Sequence, residues 1–125
     1  MIVNALKSKI HRATVTDACL DYEGSISIDQ TLLNAANIVP YEKVHVLNVT
    51  NGNRLETYVI RGKTGTGQVC INGAAAHLVG IGDLVIIVSY CQLSRENIIN
   101  HVPEIVHVNE ENKIIDKHIE SISNG

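Results

Sequence analysis

The stretch that decides the fold is KVHVLNVTNGNRLETYVIR, residues 43–61. Valine alternates with histidine and leucine over residues 43–48, which is the two-residue period of a β-strand. Asn51-Gly52 follows, and this pair is the strongest short-range signal for a hairpin turn. The stretch therefore predicts two antiparallel strands, the second over residues 54–61.

Similar apolar segments separated by turn signals lie on both sides of this hairpin. Further strands are predicted over residues 9–16, 25–28, 68–71 and 84–90, with an edge strand over 105–108. A short helix is predicted over residues 29–37, with Asp29 as its N-cap and Leu32, Leu33 and Ala36 on one face. Many short strands at close spacing indicate a mainly β fold, an all-β barrel with a few short helices.

The composition limits the class of protein. The chain has 125 residues, which suits a single domain over 1–125, and 45% of them are hydrophobic. The formal net charge is -3, and the lysines and arginines are scattered, so we expect no nucleic-acid partner. No apolar run is long enough to cross a bilayer. These features predict a soluble cytoplasmic protein that does not enter a membrane.

The cysteines do not indicate a metal site. Cys19, Cys70 and Cys91 stand far apart, without a Cys-x-x-Cys pair or a cysteine and histidine ligand spacing. An odd number of cysteines in a small chain fits a reducing compartment. We interpret all three as small, buried, apolar residues.

Gly24-Ser25 permits a particular self-cleavage reaction, although glycine and serine are also ordinary turn residues. The glycine leaves its carbonyl unhindered, and the serine hydroxyl can attack that carbonyl in an N-to-O acyl shift. β-Elimination of the resulting ester leaves dehydroalanine, which hydrolyses to a pyruvoyl group and ammonia. The hydroxyl needs activation, and the tetrahedral intermediate needs an oxyanion donor.

Five short motifs follow one another along the chain. They are KIHRATVT at 9–16, YEGSISID at 22–29, NVTNGNRLETY at 48–58, INGAAAH at 71–77 and GDLVII at 82–87. Each motif alone is weak, but five in order in a chain of this size are specific, and they cover about residues 1–95. In their order and spacing the chain resembles the bacterial aspartate 1-decarboxylase family.

The resemblance implies a fold, a cofactor and a reaction. It implies a six-stranded double-psi β-barrel that assembles as a homotetramer. It implies a precursor that cleaves itself between Gly24 and Ser25 into 1–24 and 25–125, with a pyruvoyl group formed from Ser25 in place of pyridoxal phosphate or a metal. The expected reaction forms a Schiff base with L-aspartate and releases carbon dioxide and β-alanine, a precursor of pantothenate and coenzyme A. Whether cleavage is spontaneous or needs a maturation factor is left open.

The resemblance also implies roles for individual residues. Ser25 is the Schiff-base residue, and Tyr58 is the proton donor that reprotonates the decarboxylated intermediate. Lys9 and Arg54 bind the substrate carboxylates. Thr57 and Asn72 are expected to assist cleavage, and Thr57 also to contact the substrate. Gly73, Ala74 and Ala75 are small, so their backbone N–H groups can approach the substrate closely. His11 and Tyr22 are expected to support the pocket.

Other interpretations of the same residues stay open. Without the resemblance, Arg54 is a solvated hairpin residue and Tyr58 a half-buried strand aromatic. A pyruvoyl decarboxylase for histidine or arginine would need acidic pocket residues, whereas Lys9 and Arg54 are basic. Glutamate is harder to exclude, because one methylene provides only about 1–3 kcal/mol of discrimination. A non-catalytic barrel that binds a ligand is the alternative outside enzymes.

Overall fold

The structure is a computed structural model that describes residues 1–119, and it consists mainly of β-strands. The strands are β1 (Ile2–Thr14), β2 (Asp17–Cys19), β3 (Ser25–Asp29), β4 (Lys43–Asn48), β5 (Arg54–Gly62), β6 (Val69–Asn72), β7 (Leu84–Ser94), β8 (Glu104–Val108) and β9 (Ile114–Ile119). One α-helix, α1 (Gln30–Ala36), and two 3-10 helices, Gly73–His77 and Arg95–Asn100, lie between them. The prediction of a mainly β fold with short helices is confirmed.

The strands form one sheet in the order β2-β6-β3-β5-β4-β7-β1-β8-β9. Its curvature follows from the two residues that join β1 to β2. The backbone N–H of Val15 donates to the carbonyl of Asp83, next to β7, at 2.9 Å, and that of Thr16 donates to the carbonyl of Val69, in β6, at 2.8 Å. One continuous segment therefore borders both β7 and β6. When β1 and β2 are counted as one bent strand, six strands surround the core. β8 and β9 continue the sheet beyond β1, and Val106 and Val108 of β8 also pack into the core.

The core is filled by branched aliphatic side chains from each of these six strands. The fully buried residues include Ile10, Ile26, Val44, Val59, Ile71 and Ile87. Exposed side chains occupy every second position along β5, at Arg54, Glu56 and Tyr58, while the positions between them face the core. The alternation therefore places Arg54 and Tyr58 on the outer face of the barrel.

Two local predictions are confirmed in detail. β4 and β5 pair antiparallel across the Asn51-Gly52 turn, with Val44 opposite Thr57. Asp29 caps α1, since its carboxylate accepts a hydrogen bond from the N–H of Thr31 at 2.8 Å. The buried residues of this helix are Leu32, Leu33 and Ala36, as the pattern predicted.

Two other predictions are wrong. The segment 105–108 is not at an edge, because β8 pairs with β1 on one side and with β9 on the other. The cysteines are not all buried: Cys70 is buried, but Cys19 is exposed and Cys91 is half-buried. The reason is that Cys19 lies on the short outermost strand β2, which no other strand of residues 1–119 covers on its other side.

Candidate active site

Ser25 is the first residue of β3 and follows a solvent-exposed glycine, Gly24. Its side chain is almost completely buried, with 1% of its surface exposed. The hydroxyl donates a hydrogen bond to the carbonyl of Glu23 at 3.2 Å. It accepts one from the side-chain amide of Asn72, with Nδ2 3.0 Å from Oγ. The serine oxygen is therefore held in one position beside an accessible peptide bond.

Asn72 is the last residue of β6 and lies directly opposite Ser25 in the antiparallel β3–β6 pair. Its Nδ2 also donates to the hydroxyl of Ser27 at 3.1 Å. Its Oδ1 accepts a hydrogen bond from the thiol of Cys70, at 3.3 Å from Sγ. All three contacts are buried, so Asn72 is fixed at both ends of its amide.

Ser27 and Cys70 are the residues that the sequence analysis did not assign to the site. Each lies two positions from a predicted site residue: Ser27 from Ser25, and Cys70 from Asn72. Because residues two apart on a strand share a face, the two-residue period is the signal that identifies them. The pairing of Cys70 with Ser27 in the β3–β6 ladder completes the cluster.

Gly73 packs against the backbone at the predicted cleavage position. It has φ +77°, and a Cβ atom at this position would lie 2.7 Å from Cα of Gly24 and 3.1 Å from the carbonyl oxygen of Tyr22. Only glycine allows this approach, because a side chain would collide with backbone atoms that cannot move aside. Ala74 is exposed and Ala75 is half-buried in the 3-10 helix that follows.

Tyr58 lies on β5, the strand next to β3. The parallel register pairs Ile26 with Val59. One residue earlier on each strand, Ser25 is level with Tyr58, at a strand spacing of about 4.8 Å. The Tyr58 side chain is 37% exposed, and its ring centroid is 6.5 Å from that of Tyr41. Thr57, the residue before Tyr58 on β5, is half-buried.

Lys9 lies on a different part of the barrel from Ser25. It is opposite Val88 of β7, which is opposite His45 of β4, which is opposite Glu56 of β5. Lys9 is thus three strand spacings, about 14 Å along the sheet, from β5. Within one chain the structure does not bring Lys9 to Ser25.

Arg54 lies four residues before Tyr58 on β5, about 13 Å along the strand from the level of Ser25, and His11 lies on β1. Arg54 is exposed at the start of β5, opposite Leu47 of β4. The ring of His11 packs edge-on against that of His107, with centroids 5.0 Å apart. Burial lowers the pKa of His11, and the nearby His107, Arg12 and Lys9 lower it further. His11 therefore favours the neutral form and belongs to the β1–β8 side of the molecule.

Tyr22 lies beside the Ser25 cluster, on the surface. Its side chain is exposed, and it lines an open cleft of about 430 Å³ together with Ser27, Cys70 and Asn72. Cys19 and Arg61 line the same cleft. The structure thus brings Tyr22, Ser25, Asn72 and Gly73 together and leaves Lys9, His11 and Arg54 elsewhere.

Comparison with known proteins shows the family to which this chain belongs. Residues 1–115 match the family described as aspartate decarboxylase. The chain belongs to the aspartate decarboxylase family. The predicted family and the prediction of an enzyme of this class are confirmed. The family match also extends beyond residue 95, into the tail that the five motifs did not cover.

Individual members of the aspartate decarboxylase family are similar over most of their length. The aspartate 1-decarboxylase of Dehalococcoides mccartyi is 60% identical over 109 residues, which are 87% of this chain and 88% of the relative. That of Caldicellulosiruptor bescii is 57% identical over 115 residues, 92% of this chain and 90% of the relative.

Solved structures with a similar fold include two designed proteins. The rationally designed mkDPBB_sym_86 protein has a TM-score of 0.48 and 16% identity, over 62% of this chain and 90% of that chain. The computationally designed msDPBB_sym2 protein has a TM-score of 0.47 and 19% identity, over 71% and 99%. Because both scores are low, the barrel assignment depends on the strand order and not on these similarities.

Among residues 1–117, whose side chains the structure describes, no group of three or more histidine, cysteine, aspartate or glutamate side chains is placed to hold a metal ion. No helix within the same residues has the length and apolar character needed to cross a bilayer.

Proposed function

We propose that this chain decarboxylates L-aspartate to β-alanine and carbon dioxide, using a pyruvoyl group that it makes by cutting itself between Gly24 and Ser25. Membership of the aspartate decarboxylase family supports aspartate decarboxylation. The self-cleavage and the pyruvoyl group are the finer part of the proposal. They depend on one observation, the buried Ser25 hydroxyl held by Asn72 beside the exposed Gly24.

The cleavage begins with the Ser25 oxygen. It attacks the carbonyl carbon of Gly24, the C–N bond to Ser25 breaks, and an ester forms between Gly24 and the serine oxygen. The Asn72 amide, which donates to the Ser25 oxygen, is the side-chain donor that we assign to the negative charge that develops during this attack. Elimination then removes the Cα proton of residue 25 and expels the Gly24 carboxylate. Water converts the dehydroalanine that remains into a pyruvoyl group and ammonia, which gives chains 1–24 and 25–125.

The surroundings of residue 25 fit such a group. Loss of the serine hydroxyl leaves one N–H of the buried Asn72 amide without its present acceptor, still directed at residue 25. A pyruvoyl group supplies a ketone that condenses with the substrate amine and withdraws the electron pair left by carbon dioxide. The Asn72 amide and the exposed backbone at Gly24 are the polar groups beside residue 25.

The side chains of the chain supply substrate binding and proton transfer. Tyr58 is level with residue 25 on the neighbouring strand, which supports its assignment as the proton donor at the substrate carbon. Arg54 and Lys9 are the cations expected to bind the two substrate carboxylates. Since neither reaches Ser25 within one chain, we expect a second subunit to provide them. The proposal therefore includes a homotetramer acting in the cytoplasm, with sites shared between subunits.

The test is an intact-mass spectrum of the purified protein, with and without hydrazine to trap a ketone, followed by an assay with L-aspartate and L-glutamate. The proposal expects two chains, 1–24 and a hydrazine-reactive 25–125, and β-alanine formation from aspartate. Cleavage that starts only when a cell extract is added would show that a maturation factor is needed. A single chain that stays uncleaved with extract, and is inactive on aspartate, would instead favour a barrel that only binds.

A further inference from the structure

The side-chain amide of Asn72 has two ends with opposite hydrogen-bonding character. Its NH₂ group only donates, and its oxygen only accepts. In the structure the NH₂ group faces Ser25 and Ser27, and the oxygen faces Cys70. A rotation of the amide by half a turn would present the oxygen to Ser25 instead. An oxygen there could not stabilise the negative charge that forms when Ser25 attacks Gly24.

The two serines do not determine which end faces them, because a hydroxyl both donates and accepts. Ser25 does favour the observed arrangement, since its proton is directed at the carbonyl of Glu23 and its lone pair faces Asn72. The other end of the amide touches a thiol. A thiol is a donor, although a weak one, and it is a poor acceptor for an N–H group.

Cys70 stays protonated in this position. Burial raises the pKa of its thiol, and the nearby Asp17 and Cys19 raise it further. The S–H group is therefore present to donate to Oδ1 of Asn72, 3.3 Å from Sγ. The two residues lie on the same face of β6, two positions apart, and both are buried.

We propose that Cys70 is a positioning residue for the self-cleavage reaction: its thiol donates to Oδ1 of Asn72 and thereby keeps the Asn72 NH₂ group directed at Ser25. Cys70 does not touch the Gly24-Ser25 peptide bond and acts only through Asn72. This inference rests on the proposed self-cleavage and adds to it a residue that sets the rate.

The experiment compares donors with non-donors at position 70. Precursors of the parent chain, Cys70→Ser, Cys70→Ala and Cys70→Val are isolated, and the fraction cleaved is followed by intact-mass spectrometry at one temperature. Serine keeps a donor, and alanine removes it. Valine removes the donor but fills the site, so the valine variant tests the loss of the donor if the alanine variant unfolds. Cys91→Ala is the matched control, since Cys91 lies half-buried on β7. Thermal unfolding of each precursor is recorded in parallel.

The inference expects the Cys91→Ala control to cleave at close to the parent rate. The serine variant should cleave faster than the alanine variant, because its hydroxyl still donates to Oδ1 of Asn72, but it should not exceed the parent, because a hydroxyl can also accept and so holds the amide less strictly than a thiol does. The alanine and valine variants should cleave more slowly by about two- to tenfold, the range that corresponds to losing one hydrogen bond. Rescue by serine separates positioning from packing, because a packing role follows the volume of the side chain and not its donor. Parent-like cleavage in both non-donors, or serine as slow as alanine, overturns the inference and leaves the proposed function standing. A parent chain that never cleaves overturns the proposed function, and this inference with it.

Discussion

Gly73 and Gly24 are packed backbone against backbone, so that a Cβ atom on Gly73 would lie 2.7 Å from Cα of Gly24. The two residues are far apart in sequence and meet because β6 ends where β3 begins. Gly73 also has φ +77°, a conformation that side chains rarely adopt. This contact holds the bond that we propose to be cleaved against the end of β6.

Gly73→Ala should therefore destabilise the chain and slow its cleavage. Gly65 is a matched control, since it has φ +78° but nothing within 4 Å of an added Cβ atom. Gly65→Ala should lower the free energy of unfolding only by the strain of the positive φ, about 1 kcal/mol. Gly73→Ala adds a collision with the backbone of Gly24 and Tyr22. Chemical unfolding gives the free energy of unfolding of each variant, and intact-mass spectrometry gives the cleavage rates. Equal losses in the two variants would contradict the close contact.

Ser25→Ala should abolish cleavage and activity together and leave the fold intact, because it removes the nucleophile without changing the core. Ser27→Ala is the control, since Ser27 also accepts a hydrogen bond from Asn72 and its loss leaves the nucleophile in place. Intact mass and an aspartate assay give both readouts. An uncleaved but active Ser25→Ala protein would refute the pyruvoyl mechanism.

Tyr58→Phe should permit cleavage but slow turnover by about a hundredfold or more, as expected when a general acid is removed. Tyr41→Phe is the control, because Tyr41 lies next to Tyr58 with a ring-centroid distance of 6.5 Å and is more exposed. The kcat of fully cleaved protein is the measurement. Full activity of Tyr58→Phe would remove Tyr58 as the proton donor.

A site shared between subunits predicts complementation. Ser25→Ala lacks the nucleophile and Arg54→Ala lacks a carboxylate ligand, so each variant alone should have little activity on aspartate. Co-expression should restore part of the activity, because a mixed assembly can combine Ser25 of one subunit with Arg54 of another. Native mass spectrometry verifies that mixed assemblies form. If they form without any gain in activity, Arg54 and Ser25 do not belong to a site between subunits.

Asp29 should make the fold sensitive to acid. Burial raises its pKa, but hydrogen bonds from the backbone N–H groups of Gly67, Thr31 and Gly65 outweigh this and hold the pKa below the usual 3.8. A lowered pKa means that the folded state binds its proton less readily than the unfolded state. The resulting stability is present above pH 3.8 and is lost as the pH falls through the folded-state pKa.

The measurement for Asp29 is urea unfolding at several pH values in the Ser25→Ala background, which keeps the chain in one piece. Asp29→Asn should be less stable at neutral pH and should lose less stability on acidification than its parent. Glu110→Gln, at an exposed position, should retain the acid dependence of the parent. An unchanged dependence in Asp29→Asn would show that another carboxylate is responsible, with Glu42 the next to test because its pKa is also lowered.

The elements predicted correctly are those with signals contained in a few neighbouring residues. The β4–β5 hairpin follows from alternation and the Asn51-Gly52 turn, and the start of α1 follows from the capping side chain of Asp29. The position of β8 was predicted wrongly, because the sequence analysis assigned no strand to the segment that follows it, and that segment forms β9 and pairs with β8, whose other neighbour is β1 at the far end of the chain. The apolar pattern of a strand does not state which other strands lie beside it.

The sequence by itself determined the family, the mainly β class and the turns. It also identified Gly24, Ser25 and Asn72 as candidate site residues. These features depend on turn chemistry, strand period and motif order, which are properties of residues close together in the sequence. Only the tertiary structure decided which side chains meet. It placed Cys70 and Ser27 on Asn72, set Gly73 against Gly24, and left Lys9 and Arg54 away from Ser25. Those relationships depend on strand register, which is set by packing of the whole barrel around one core and not by any local stretch.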